Sequence, residues 1–169
     1  PVSVTPYERR RPSPAFGAKG SPMVTEFSGA FRFLSNFYPS VIREGDLMWP
    51  TVEHAYQAAK TTDARMREQI HAAASPGMAK RLGRRVVLRE DWEAVKIPIM
   101  HRLLREKFKI PRLQTLLLAT GDQYLQEGNW WGDTFWGVDL RTHQGQNHLG
   151  SLLVVVRGEI RQQLMLPIA

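Results

Sequence analysis

Two long stretches carry apolar residues at helical spacing, and no stretch carries strand alternation of comparable length. Trp92, Val95, Ile99, Leu103 and Leu104 recur between Asp91 and Phe108, and Leu149, Leu152, Leu153, Val156, Ile160 and Leu164 recur after Asn147. A period near 3.6 turns such residues onto one face, which must be buried against another element. Everything extended is short and broken by glycine or proline. The pattern therefore predicts an α+β fold, a predominantly helical single domain with short strands, over residues 23–169.

Residues 1–22 read differently. They hold five of the eleven prolines and few large apolar residues, so they are expected to form a disordered leader. Met23 then reads as a native start with the leader as an extension. Phe27 to Tyr38 is rich in aromatics and broken by Gly29, and Pro39 follows it. Short strands or an irregular segment are expected there, with another short strand at Leu47–Trp49. Thr51 is placed to cap a helix running to about Thr61, and residues 63–73 form the next, with Met66 and Ile70 inward. Ser75-Pro76 supplies an N-cap and a first-turn proline, and Gly83 closes that helix. Val86–Leu88 is an extended link. Asp91 caps the first long helix, which Pro98 should kink. Pro111 opens a further helix that Gly121 ends. Residues 123–138 read as strands and loops, and Asn147 caps the last helix.

Composition narrows the chemistry. The chain has no cysteine, which removes disulfides, thiolate metal sites and cysteine nucleophiles. That fits a reducing cytosol, so a cytoplasmic location is expected. No apolar run has the length of a membrane span, and no secretory signal is visible. The net charge is +7. A basic body suits an anionic substrate such as a phosphate or a nucleic acid, and equally suits an ordinary solvated surface.

Three constellations can carry chemistry. Glu53, Gln57 and Lys60 lie at i, i+4 and i+7, on one helix face, while Val52, Ala55 and Ala59 lie on another. On spacing alone that polar stripe also reads as a solvated surface. His54 has no second histidine at metal-ligand spacing, and neither metal nor cofactor is expected. Gly128 to Gly137 holds three tryptophans in ten residues. Trp130 and Trp131 are candidates for stacking on flat rings, with Asn129, Gly132 and Asp133 beside them; Trp136 reads as core. Ser75 to Arg85 joins a helix N-terminus to Lys80, Arg81, Arg84 and Arg85, which describes either a phosphate site or a basic turn. No P-loop, dinucleotide fingerprint or nucleophile elbow is present.

The ordered blocks Phe33-Leu-Ser-Asn-Phe-Tyr-Pro39, Trp49-Pro-Thr-Val-Glu-His-Ala-Tyr-Gln-Ala-Ala-Lys60 and Ser75-Pro-Gly with Ala79-Lys-Arg-Leu-Gly-Arg84 resemble the NADAR or YbiA-like family. So do Asp91-Trp92, Lys107-Phe108, Thr120-Gly-Asp122, Trp131-Gly-Asp133 and Gly145-Gln-Asn-His-Leu-Gly150. Met78, where an acidic or polar residue is common, and Pro98 depart from the pattern. The resemblance implies an N-glycosidase. Its substrate would be ADP-ribose on the guanine amino group of nucleic acid, with an ADP-ribosyltransferase toxin as a partner. The alternative is a reactive ribosylamine phosphate of early riboflavin synthesis. It implies Glu53, Lys60 and Asp133 as catalytic residues. The substrate would meet Asn36, Phe37, Tyr56, Gln57, Arg84, Asn129, Trp130, Trp131, Gly132 and Asn147. A monomer is expected, with no membrane association.

Two routes suit those residues. A carboxylate can steady an oxocarbenium-like state or activate water. Alternatively the ribosylamine opens to an imine, which Lys60 attacks to form a Schiff base. The ease of ring opening favours the lysine. A non-catalytic ADP-ribose-binding module could use the same tryptophans, and a general nucleic-acid-binding protein would use the basic patch alone.

Overall fold

A computed structural model describes residues 23–166, so the expected leader lies outside the described residues. The chain forms α1 (Val52–Ala58), α2 (Ala64–His71), α3 (Pro76–Gly83), α4 (Trp92–Lys107), α5 (Pro111–Ala119) and α6 (His148–Met165). Between them lie β1 (Met23–Val24), β2 (Ile42–Glu44), β3 (Leu47–Trp49), β4 (Tyr124–Leu125), β5 (Gly128–Asn129) and β6 (Val138–Asp139). The strands pair only two at a time: β1 with β4 in parallel, β2 with β3 as an antiparallel hairpin, and β5 with β6 in parallel. The mostly helical α+β expectation is thus met.

The two long helices pack against each other, and α4 also packs on α1. Leu103, Leu104, Leu153 and Val156 are buried between these layers. Each such side chain contributes roughly 1.5–3 kcal/mol relative to exposure. The predicted face of α6 is buried at Leu149, Leu153, Val156 and Ile160, half-buried at Leu152, and exposed at Leu164 where the helix outruns the core. In α2, Ile70 is buried and Met66 only half-buried.

Several local expectations change. The aromatic stretch after Phe27 is no strand: Gly29–Leu34 forms a 3-10 helix that buries Phe33 and Leu34. Thr51 caps α1 as expected, accepting from the His54 amide at 3.2 Å, but the helix ends at Ala58. Ser75 caps α3 through the Met78 amide. Asp91 sits at the start of α4 yet makes no side-chain cap, because its carboxylate is taken by Arg89 at 2.5 Å. Helix α4 is continuous through Pro98. That proline and Ala94 are exposed, so the carbonyl left without a donor faces water. Asn147 is not a conventional cap either. It holds a left-handed φ of 52° before α6 and turns its side chain back to the β4–β5 connection.

Candidate active site

A cleft of about 660 Å³ opens between α1, the segment from Phe27 to Phe37, and the loops around β5 and β6. Its first wall is α1. All seven residues of this helix are buried, so the stripe read from spacing is not a solvated face. One side enters the core through Val52 and Ala55, and the other presents Glu53, Tyr56, Gln57 and, just past the helix, Lys60 to the cleft. The helix is held at its start by the Asn36 carbonyl, which accepts from the Glu53 amide at 3.1 Å. Beyond its end, the Lys60 carbonyl accepts from Arg89 at 2.8 Å. The Glu53 and Lys60 side chains therefore both leave a fixed backbone.

Glu53 accepts a hydrogen bond from the Gln57 amide at 2.8 Å. Burial drives its carboxyl above the ordinary range, against the lowering effect of Gln57, Lys80 and Lys60. Burial also lowers the Lys60 amine, helped by repulsion from Lys80 and Arg84 and opposed by Glu53. Burial thus shifts the two groups toward each other, the carboxyl upward and the amine downward, within one cleft, which suits proton transfer between them. Tyr56 is raised by the same desolvation. His54 is structural: its Nε2 donates to the Ala73 carbonyl at 3.1 Å, which leaves Nδ1 to accept from the Thr51 hydroxyl at 2.8 Å.

The second wall comes from the loop between β5 and β6. Asp133 lines the cleft, and its Oδ1 accepts from the Phe135 and Trp136 amides at 3.1 and 2.9 Å. Trp131 and Phe37 stand at the mouth with the Lys80 amine 5.6 and 5.8 Å from their ring centres. Each contact is worth about 0.5–1 kcal/mol at an exposed site. Trp136 is half-buried, reaches the cleft and packs edge-on against Tyr56.

Of the residues expected to meet substrate, Asn36, Phe37, Tyr56, Gln57 and Trp131 line the cleft. Five others do not. Asn129 is fully buried and spends its amide on the Asp133 and Val138 carbonyls at 2.7 and 3.2 Å, holding the loop instead of a ligand. Asn147 is likewise committed to Glu127, Tyr124 and Leu125. Gly132 serves the turn through its positive φ of 80°. Trp130 is exposed outside the cleft, and Arg84 is exposed one turn beyond Lys80 where α3 has ended. The N-terminus of α3 does not reach the cleft; the helix contributes Lys80 instead. Among the described residues no group of three or more histidines and carboxylates could hold a metal ion.

Sequence reasoning overlooked Glu127 and underused Lys80. Glu127 lines the cleft from the β4–β5 connection, one residue before the tryptophan-rich block. Its isolation in sequence gives no spacing signal. Lys80 was visible only as one member of a basic cluster.

Gly83 shows how tightly this site is packed. A Cβ there would lie 2.0 Å from Gln57 Oε1 and 2.9 Å from Gln57 Cβ. Helix propensity alone predicts that Gly83→Ala stabilises by about 1 kcal/mol. The close approach reverses the sign: the variant should lose about 1–3 kcal/mol as α1 and α3 are forced apart. Displacing Gln57 from Glu53 should also lower kcat about tenfold. Urea unfolding and initial rates check both; a stabilised, fully active variant would contradict the packing argument.

Comparison with known proteins identifies the architecture. The solution structure of Escherichia coli YbiA superimposes with a TM-score of 0.77 at 34% identity, covering 88% of this chain and 91% of that one. A protein of Nostoc punctiforme named an N-glycosidase is 45% identical over 138 residues, 78% of this chain and 87% of its own length. A Vibrio vulnificus protein named for riboflavin biosynthesis is 40% identical over 133 residues, 77% of this chain, and the match spans only 36% of that longer protein. Among the described residues no helix is long and apolar enough to cross a membrane. The NADAR domain pattern matches residues 24–161, from the first strand to the last helix and across every wall of the cleft, and the chain belongs to the NADAR family.

Proposed function

We propose that this protein is an N-glycosidase that hydrolyses phosphorylated N-ribosyl amines, the reactive ribosylamine phosphates of early riboflavin synthesis. The observation that carries this reading is the pairing, within one cleft, of the part-buried Lys60 amine with the buried Glu53 carboxyl. The family relatives named N-glycosidases support the bond type, and the relative named for riboflavin biosynthesis supports the metabolite over ADP-ribosylated guanine. Arg32 and Lys80 line the cleft and offer positive charge to a phosphate, while Phe37 and Trp131 can flank the flat ring of the departing amine.

The chemistry follows from these groups. A ribosylamine in equilibrium with its open-chain imine presents carbon 1 as an electrophile. The Lys60 amine adds there, giving a carbon bonded to two nitrogens. The bond to the original nitrogen breaks, the amine leaves with a proton, and carbon 1 remains joined to Lys60 as a Schiff base. Water adds to that double bond, and its collapse returns the free amine of Lys60 and the aldehyde sugar. The net change is one water consumed and one amine and one sugar released. Glu53 carries the proton that Lys60 loses and regains.

The test presents the protein separately with a ribosylaminopyrimidine phosphate and with ADP-ribosylated guanine DNA, and measures the sugar and amine released. Release from the first alone is expected. Release of ADP-ribose from the second alone would replace the proposed substrate, and release from neither would refute the N-glycosidase reading.

A further inference from the structure

We propose that Glu127 is a further catalytic residue, the acid that protonates the leaving nitrogen of the substrate. The inference rests on the N-glycosidase reading and adds a group to it. Glu127 lines the cleft from the β4–β5 connection, while Lys60 enters from the end of α1. Its Oε2 is buried and has no hydrogen-bond partner among the described residues. A buried acceptor or donor without a partner is costly, and a ligand that fills the cleft can satisfy it.

The surrounding chain holds the backbone of this residue in place from three directions. The Glu127 amide donates to Asn147 Oδ1 at 3.0 Å, and its carbonyl accepts from the Val138 amide at 2.9 Å. A Cβ on Gly137 would fall 2.2 Å from that carbonyl oxygen and 3.0 Å from Glu127 Cγ, so only glycine allows the approach. Asn147 adopts its left-handed φ in making the first of these contacts. These contacts fix the backbone of a residue whose carboxyl Oε2 has no hydrogen-bond partner among the described residues.

The charges around it suit an acid. Burial and then Asp133 push the Glu127 carboxyl up to about 7, with Glu53 adding to the effect and Lys80 and Lys107 opposing it. Lys107 is itself buried, donates to the Ser35 carbonyl at 2.7 Å, and is lowered by burial to about 7. Glu127 is therefore poised near neutral pH, where its protonated and ionised forms coexist and the proton is readily given up.

Position assigns the proton's destination. In the intermediate with two nitrogens on carbon 1, one nitrogen belongs to Lys60 and is served by Glu53 of the adjoining helix α1. The other points away from α1, toward the wall that carries Glu127 and Asp133. As the Lys60 lone pair forms the carbon–nitrogen double bond, the breaking bond's electron pair passes to the leaving nitrogen. That nitrogen takes the Glu127 proton. The resulting carboxylate recovers a proton from the water that adds to the Schiff base.

The experiment compares two ribose 5-phosphate glycosylamines, one of an aminopyrimidine and one of an alkylamine, corrected for buffer hydrolysis. A weakly basic aromatic nitrogen needs the acid; a strongly basic alkyl nitrogen captures its own proton. Glu127→Gln should lose about 100-fold on the first and less than about threefold on the second. The ratio is taken within one preparation, so it does not depend on the fraction folded. Glu127→Asp, which keeps the acid, should retain the wild-type ratio at a lower rate. The aromatic substrate's pH–rate profile should bend near pH 7 in the wild type as Glu127 ionises, with that inflection absent from Glu127→Gln. Wild-type turnover with an unchanged ratio in Glu127→Gln overturns the role of Glu127 alone. A wild type that releases neither amine overturns the N-glycosidase reading and this role together.

Discussion

Lys60→Ala is expected to lower turnover at least about a thousandfold and to abolish borohydride trapping of a covalent sugar adduct on the protein. The loss is large because the Lys60 amine is the nucleophile of the proposed route, while the Lys80 amine stands at the cleft mouth against Phe37 and Trp131. The Lys60 backbone is held through its carbonyl to Arg89, and its side chain reaches the cleft from the helix end. Lys60→Arg makes the sharper comparison. A guanidinium keeps the positive charge but stays protonated and cannot form a Schiff base. Were Lys60 only an electrostatic aid to a carboxylate-assisted attack by water, the arginine variant would keep much of the activity. The lysine route predicts that arginine is as inactive as alanine. The pH dependence follows in sign: burial lowers the Lys60 amine, so the free amine needed for attack is reached at a lower pH than for an exposed lysine. Rates should rise with pH through that ionisation. Retention of more than about a tenth of the activity by Lys60→Arg, or an adduct that survives the substitution, would remove Lys60 from the covalent role.

How much of this site was legible in the sequence depended on whether a residue acts within a periodic element. Glu53 and Gln57 share one face of α1 because helical geometry requires it, Lys60 follows just past its end, and the cleft receives all three. The period could not tell a cleft-facing stripe from a solvated one. That is decided by the segment from Phe27 to Phe37 and the β5–β6 loop, which close over α1 from distant parts of the chain. The aromatic stretch misled for a related reason: Phe33 and Leu34 are buried in a 3-10 helix, whose tight turns leave little periodic trace. Asn129 and Asn147 show the limit of motif transfer. Both are buried polar residues beside the site, and both are consumed by backbone groups that the irregular strands leave without ladder partners. A polar residue needed to shape a loop and one needed to bind substrate look alike in sequence. Glu127 carries the opposite lesson, since an isolated glutamate outside the tryptophan block becomes notable only when Asn147, Val138 and Gly137 are seen to fix its position.

Glu53→Gln should make the protein more stable and far less active. Activity should fall about 100- to 1000-fold, because an amide cannot carry the proton that Lys60 loses and regains. Stability should rise by about 1–3 kcal/mol at neutral pH, because a buried carboxyl held above its ordinary value costs folding energy once the unfolded chain can ionise. The sign can be worked through. Below pH 4.5, the ordinary glutamate value, the carboxyl is protonated in both states and costs least. As pH rises beyond that, the unfolded chain releases the proton while the folded chain keeps it, so wild-type stability declines until the folded carboxyl ionises too. Glutamine has no such dependence, so the stability gap between variant and wild type should widen from pH 4.5 upward and then level off. Gln57 limits the gain. It donates to Glu53 Oε1 at 2.8 Å, and a glutamine at position 53 can still accept that bond through its carbonyl oxygen. Urea unfolding of both proteins between pH 4 and 8, alongside initial rates, separates the two effects. A variant that loses activity and stability together would mean that Glu53 holds α1 in place. A variant that gains stability while losing turnover is what a carboxyl buried for chemistry, at the expense of the fold, requires.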